Sequence, residues 1–411
     1  MWSSTDPPGA GALTVFLITG LGLVSCATRQ SFPELDIPEA RMVSYLRDKP
    51  KPLHPMFRKL LRQDRRNQVL NNMRVGVAAM EIGAFDVAGR SLESALQGIE
   101  TVYANNARAR RARSLWYEEG MKDFKGEPYE RAMAYYYRGL VYLDKGDLEN
   151  ARACFRNGVI QDSFAEEEQH RCDFALLFFL QGWASQCLGD REMARTAYGI
   201  VKQLRPDFSP PAAGDNTLVL VESGTAPRKL TDGVGHYKLV FRRGRNFTEE
   251  RARALICGRT RRIFPMEDIA WQAATRGGRL VDAILRDKIK FKESSAGRGK
   301  AFSSLGNMGI LLMPTNAGAG AAAAVSMLGV VQSLVAANAH PRADDRCWDN
   351  LPDLVHVTTC HTTPGDTITV EFTTRSGKPV PGLCRQVKVR SAGNRHRWAW
   401  TRSRSALSAS S

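Results

Sequence analysis

Apolar side chains recur at i, i+3, i+4 and i+7 from about residue 50 to 207, a period that predicts helices along the whole stretch. Pro206, Pro210, Pro211 and Gly214 break the pattern. Beyond them, residues 217–222 and 236–241 alternate with period two and predict strands. Residues 266–290 return to an amphipathic helical pattern, interrupted at Thr275-Arg276-Gly277-Gly278-Arg279. Residues 301–340 hold no Asp, Glu, Lys or Arg, and Pro314 divides them into apolar runs at 305–313 and 317–339. Alanine and glycine, with Ser326, Gln332, Ser333 and Asn338, make the second run only weakly hydrophobic, so it reads as a buried hairpin closed by small residues, with membrane insertion the other reading. Alternation resumes at 354–359, 367–373 and 386–390 around turns at Thr363-Pro364-Gly365-Asp366 and Ser376-Gly377, which predicts a small antiparallel β-sheet. Residues 392–411, rich in Arg and Ser with Trp398 and Trp400, read as a flexible basic tail.

The pattern therefore predicts an α+β chain: a helical domain over 50–207, a mixed α/β domain over 208–391, and the tail. Three stretches of the helical part share one template. Gly76, Gly83, Phe85, Ala88, Leu92 and Ala95 recur as Gly139, Gly146, Leu148, Ala151, Phe155 and Gly158, and again as Gly182, Gly189, Arg191, Ala194, Tyr198 and Val201. This resembles the tetratricopeptide repeat, a pair of antiparallel helices per unit stacked into a solenoid. The template alanines stand 63 and 43 residues apart, against about 34 in a regular array, so each junction carries extra chain. The resemblance implies a concave groove lined by the first helix of each pair, which would take an extended peptide or a partner's helix. Matching positions are Met73, Val77 and Met80; Met133, Tyr136, Leu140 and Leu143; and Leu176, Phe179, Trp183 and Gln186. Six of them, Met133, Tyr136, Leu140, Leu143, Phe179 and Trp183, form the candidate partner site. The competing reading packs the aromatic ones against the inserted chain.

The N-terminus bears on compartment. Residues 13–24 are an apolar run too short to span a bilayer but long enough for a signal peptide's core. The run ends in Leu23-Val24-Ser25-Cys26, which resembles the lipobox of bacterial lipoproteins. That resemblance implies cleavage before Cys26, lipidation of its thiol, and, with Ala27 next, the outer membrane facing the periplasm. Residues 1–26 are then a signal peptide and 27–49 a linker. The leader departs from the pattern in having Asp6 and no Lys or Arg before the run.

Charge and cysteines narrow the chemistry. A formal net charge of +16 favours polyanionic surfaces, and two stretches, Arg108, Arg110, Arg111 and Arg113 and the run from Arg242 to Arg262, are dense enough to suggest a basic patch. The eight cysteines show no CxxC pair and no metal-ligand spacing. Cys347, Cys360 and Cys384 leave room for one disulfide in an oxidising compartment. Arg276, Gly277, Gly278 and Arg279 could converge on an anion, although a plain helix-to-helix turn explains them as well. His356, Cys360 and His361 lie on an alternating run where only the first two share a face, a poor metal set. No HExxH, GxSxG, P-loop or paired-carboxylate signature occurs, so catalysis, cofactor and metal are not expected.

Together the lipobox, the repeats with Gly126-Glu127-Pro128-Tyr129-Glu130, the segment around Arg276 to Arg279 and the run from Trp348 to Pro352 resemble a family of bacterial tetratricopeptide lipoproteins with no assigned activity. The resemblance implies a non-catalytic envelope scaffold that binds a protein partner through the groove and the membrane through Cys26; nucleic acid is not an expected partner. The other function in view is a subunit of a membrane or secretion complex that docks or inserts its Ala/Gly-rich hairpin.

Overall fold

The computed structural model describes residues 34–63, 65–100, 123–162, 173–232, 238–256, 258–275 and 344–408, and Leu35–Ser411 forms one compact unit. The helical period is realised as α1 (Glu39–Leu46), α2 (His54–Arg62), α3 (Gln68–Glu81), α4 (Phe85–Glu100), α5 (Pro128–Asp144), α6 (Leu148–Asp162), α7 (Ala175–Cys187) and α8 (Arg191–Leu204). The first of these corrects the expectation of a linker over 27–49: Met42 and Leu46, four residues apart on one helical face, are buried.

The pairs α3/α4, α5/α6 and α7/α8 are helical hairpins, each closed by a glycine with positive φ, Gly83 at 78°, Gly146 at 73° and Gly189 at 82°. The closure is identical three times over, since the N–H groups of Ala84, Asp147 and Asp190 reach back to the carbonyls of Ala79, Tyr142 and Ser185. Within each hairpin a glycine on the first helix receives a large side chain from the second. A Cβ added at Gly76, Gly139 or Gly182 would stand 2.6 Å from Leu92, 2.3 Å from Phe155 and 2.6 Å from Tyr198 respectively. The template residues are thus the contact points of the hairpins.

The remaining chain builds two sheets and a hairpin. The strands are β1 (Thr217–Ser223), β2 (Arg228–Asp232), β3 (Lys238–Arg242), β4 (Arg251–Ile256), β5 (Arg259–Arg262), β6 (Phe264–Asp268), β7 (Leu354–Cys360), β8 (Ile368–Thr373), β9 (Pro379–Val387), β10 (Arg390–Ala392) and β11 (His396–Arg402), with the short helix α9 (Ile269–Ala274) after β6. A five-stranded sheet runs β10-β11-β1-β7-β6, a four-stranded sheet β5-β4-β8-β9, and β2 pairs with β3. The five-stranded sheet is mixed rather than antiparallel, because β1 and β11 run parallel. Residues 266–268, expected to open a helix, instead end strand β6, which pairs with β7.

β1 shows how the layers stack. All seven of its residues are buried, since each face of the strand meets a different neighbour. Leu218 and Leu220 join Trp398, Val355 and Val357 in the core shared with the helices. Val219 and Val221 join Ala399, Ala254, Val370 and Phe372 in a second core between the two sheets. Helices therefore cover one face of the central sheet and the four-stranded sheet covers the other.

The basic tail is corrected by this arrangement. β11 lies inside the central sheet, with Trp398 fully buried and paired in register with Leu218. Trp398 and Ala399 face the two cores and Arg402 is itself buried against Glu222, so a composition that reads as disordered belongs to an interior strand. Cys26, the arginines from Arg108 to Arg113, the residues from Arg276 to Arg279 and residues 301–340, where a hairpin is expected, lie outside the described residues. Among the described residues no helix is long and apolar enough to cross a membrane.

Candidate functional site

All six candidate groove residues lie on α5 and α7, and all six are buried. Their expected role as an open partner surface is therefore corrected. The central sheet occupies the face they line. Phe179 meets Phe208 edge-on at 5.7 Å between ring centres, and Trp183 meets His396 at 6.3 Å. Leu140, Leu143 and Met133 are wholly enclosed in the core shared with the sheet. Met73, Val77 and Met80 on α3 are buried too. The physical reason is in the sequence: the aromatic and aliphatic stripe is matched by an equally apolar stripe on β1, β7 and β11, and the chain buries one against the other.

Polar groups pin that seam at three places. In the first, Glu222 on β1 accepts hydrogen bonds from Tyr136 Oη at 3.1 Å, Tyr137 Oη at 2.9 Å and Trp400 Nε1 at 2.8 Å, and the Arg402 guanidinium lies 3.1 Å away. Burial raises the Glu222 carboxyl above its ordinary value, while Arg402 and the three donors pull it back. Burial, with Glu222 adding to it, pushes both tyrosine hydroxyls well above their usual range.

The second pin joins two segments that the sequence singled out separately. Glu130 and Glu127 form a capping box at the start of α5, and Glu130 also accepts the backbone N–H of Trp348 at 2.6 Å. Lys229 of β2 closes on Glu127. Asn350 then accepts from Trp348 Nε1 at 2.6 Å and donates to the carbonyls of Arg74 and Ala406. Burial pushes the Glu130 carboxyl up to about 7, opposed by Lys229. At the far end of the seam, Glu267 on β6 accepts from the first turn of α7 through Leu176 N at 3.1 Å and pairs with Arg205 at 3.0 Å. Sequence periodicity could not find Glu222, Glu267 or Arg402, because a charge inside a strand signals nothing until its partners converge.

Catalytic atom types are present but sealed. Ser223 Oγ lies 3.0 Å from His356 Nε2, yet both residues are fully buried and His356 Nδ1 meets no hydrogen-bonding partner. Among the described residues no third group orients the ring, and both side chains are enclosed, so the pair packs as a core contact. Cys360 shares the His356 face, enclosed between the sheets, while the exposed His361 contacts the Gly214 carbonyl through Nδ1 at 3.0 Å. Among the described residues Cys347, Cys360 and Cys384 form no disulfide with one another. Among the described residues no group of three metal-ligating side chains assembles. A cleft of about 200 Å³ opens where the chain leaves α8, floored by Phe179, Phe208 and Phe264 and rimmed by Asp207 and Arg262.

The chain matches no protein-family model, no curated protein and no solved structure. Its site is thus read from its own geometry. What that geometry exposes is the arginine run: Arg243 is engaged by Asp353 and Asp268, whereas Arg242, Arg245, Arg251, Arg259, Arg261 and Arg262 are exposed on and around the outer sheet.

Proposed function

We propose that this chain is a non-catalytic scaffold of the bacterial cell envelope, lipid-anchored at Cys26 in the outer membrane, in which a tetratricopeptide-like array is closed on its own β layer. The observation that carries this reading is the triple recurrence of one helical hairpin with the same glycine contacts and turn, its inner face locked to the central sheet through Glu222 and to the Trp348 segment through Glu130. Such a body presents its outer helices and outer sheet to partners and keeps its inner face for itself. The enclosed Ser223 and His356 favour a scaffold over a hydrolase.

The test is expression of the native chain and of Cys26→Ser in a Gram-negative host, with acyl labelling and membrane fractionation. Labelling of the native chain alone, recovered with the outer membrane, supports the reading. An unlabelled native chain in the cytosol overturns it.

A further inference from the structure

The four-stranded sheet has one face in the inter-sheet core and one face turned outward. β4 alternates strictly, burying Ala252, Ala254 and Ile256 and exposing Arg251, Arg253 and Leu255. The adjoining edge strand β5, Arg259-Thr260-Arg261-Arg262, is exposed at every position. Its free edge is therefore lined with guanidinium groups. The turn between β8 and β9 adds exposed Arg375 and Lys378 at the end where Arg251 pairs with Thr373. The four strands carry six arginines and one carboxylate, Glu371; by register Arg251, Arg253 and Arg262 share the outward face with Glu371, and Arg253 already binds it. Edge-strand charge also blocks strand addition by another chain, but that purpose needs one or two charges and leaves the outward Arg251 and the basic turn unexplained.

The side-chain types select the partner. Phe372 is the one aromatic residue in these strands and it is buried inward, so the face has no platform on which bases could stack. It carries instead an outward leucine, Leu255, 45% exposed among the arginines. Arginines spread along two adjacent strands with an aliphatic side chain between them match a surface of phosphate headgroups over hydrocarbon. We propose that the outer face of this sheet and its free β5 edge, through Arg251 and Arg262 beside Leu255 on the face and Arg259 at the edge, dock on an anionic phospholipid bilayer. The proposal is independent of lipidation at Cys26, and if the anchor is present the face sets the orientation of the body on the membrane.

The experiment is co-sedimentation of the full chain with phosphatidylglycerol/phosphatidylcholine vesicles and with phosphatidylcholine vesicles. The native chain is compared with Arg251→Gln/Arg259→Gln/Arg262→Gln and with a control that removes the same charge from exposed helical positions, Arg41→Gln/Arg90→Gln/Arg195→Gln. The apolar run at 13–24 is common to all three, so differences report the arginines. A basic residue at an anionic surface contributes about fivefold, so the sheet variant is expected to bind anionic vesicles on the order of a hundredfold more weakly and the control less than tenfold. Arg259→Gln alone, about fivefold weaker, keeps the test available whatever the stability of the triple variant. Equal losses in the two triple variants, equal binding of the native chain to uncharged vesicles, or tighter retention on heparin or DNA than on anionic vesicles would each overturn the proposal.

Discussion

Tyr136 on α5 donates its hydroxyl to the Glu222 carboxylate on β1 across the seam between the helices and the central sheet, at 3.1 Å and fully out of water. The bond joins a residue expected to greet a partner to a strand 86 positions further along the same chain. Glu222 also serves Tyr137, Trp400 and Arg402, so its removal strands four groups at once.

Glu222→Ala is accordingly expected to cost about 3–5 kcal/mol, the range for leaving a buried charge uncompensated. Tyr136→Phe, which deletes one donor and leaves the packing, should cost about 1 kcal/mol. Urea unfolding followed by far-UV circular dichroism separates them; equal losses would mean that the seam is not anchored at Glu222.

The repeat template makes a second set of expectations. Gly139→Ala places a methyl 2.3 Å from Phe155 in a closed hairpin and should destabilise by about 1–3 kcal/mol, as should Gly182→Ala against Tyr198. Gly199 sits exposed in α8 with nothing within 4 Å of an added Cβ. Gly199→Ala should therefore stabilise by about 0.5–1 kcal/mol through helix propensity. Thermal unfolding of the three variants checks the signs, and a loss at Gly199 equal to that at Gly139 would show that contact geometry is not what the template encodes.

His356 supplies a pH dependence. Burial lowers its pKa from 6.5 to about 4, so between those values the unfolded chain takes up a proton that the folded chain refuses. Its contribution is complete above pH 6.5 and is lost as pH falls through about 4. Glu130 and Glu267, each raised by burial to about 7, act oppositely, weakening the fold as pH rises from 4.5 past 7. The comparison is therefore native against His356→Asn: unfolding free energies measured from pH 7.5 to 4 should show the native chain losing relative stability over the acid half of that range. A constant difference would place the proton elsewhere.

How much of this was legible in the sequence can be argued residue by residue. The hairpins were, because Gly76, Gly139 and Gly182 each face a bulky residue sixteen positions on, and that contact lies within one local unit. The face occupied by α5 and α7 was legible as apolar, but its occupant was not. Complementarity between Tyr136 and Glu222, or between Trp183 and His396, is a long-range property that one-dimensional period cannot express. β11 was missed for a related reason: its arginines dominate composition, while Trp398 and Ala399 decide burial.

That correction is itself testable. Trp398→Ala should cost about 3–5 kcal/mol, as for a large aromatic deleted from a core, whereas Arg395→Gln on the exposed turn should lie within about 0.5 kcal/mol of native. Chemical denaturation of both variants decides it; an unchanged Trp398→Ala would restore the reading of residues 392–411 as a tail.

The closed groove is tested most directly by side-chain accessibility. Leu140→Cys on the inner face of α5 and Met193→Cys on the outer helix α8, 39% exposed in the native residue, can be treated with maleimide under native conditions and followed by peptide mass spectrometry. A thiol at 193 should label readily while one at 140 reacts only after unfolding. Comparable native labelling at both positions would contradict the account and return the groove to outside partners.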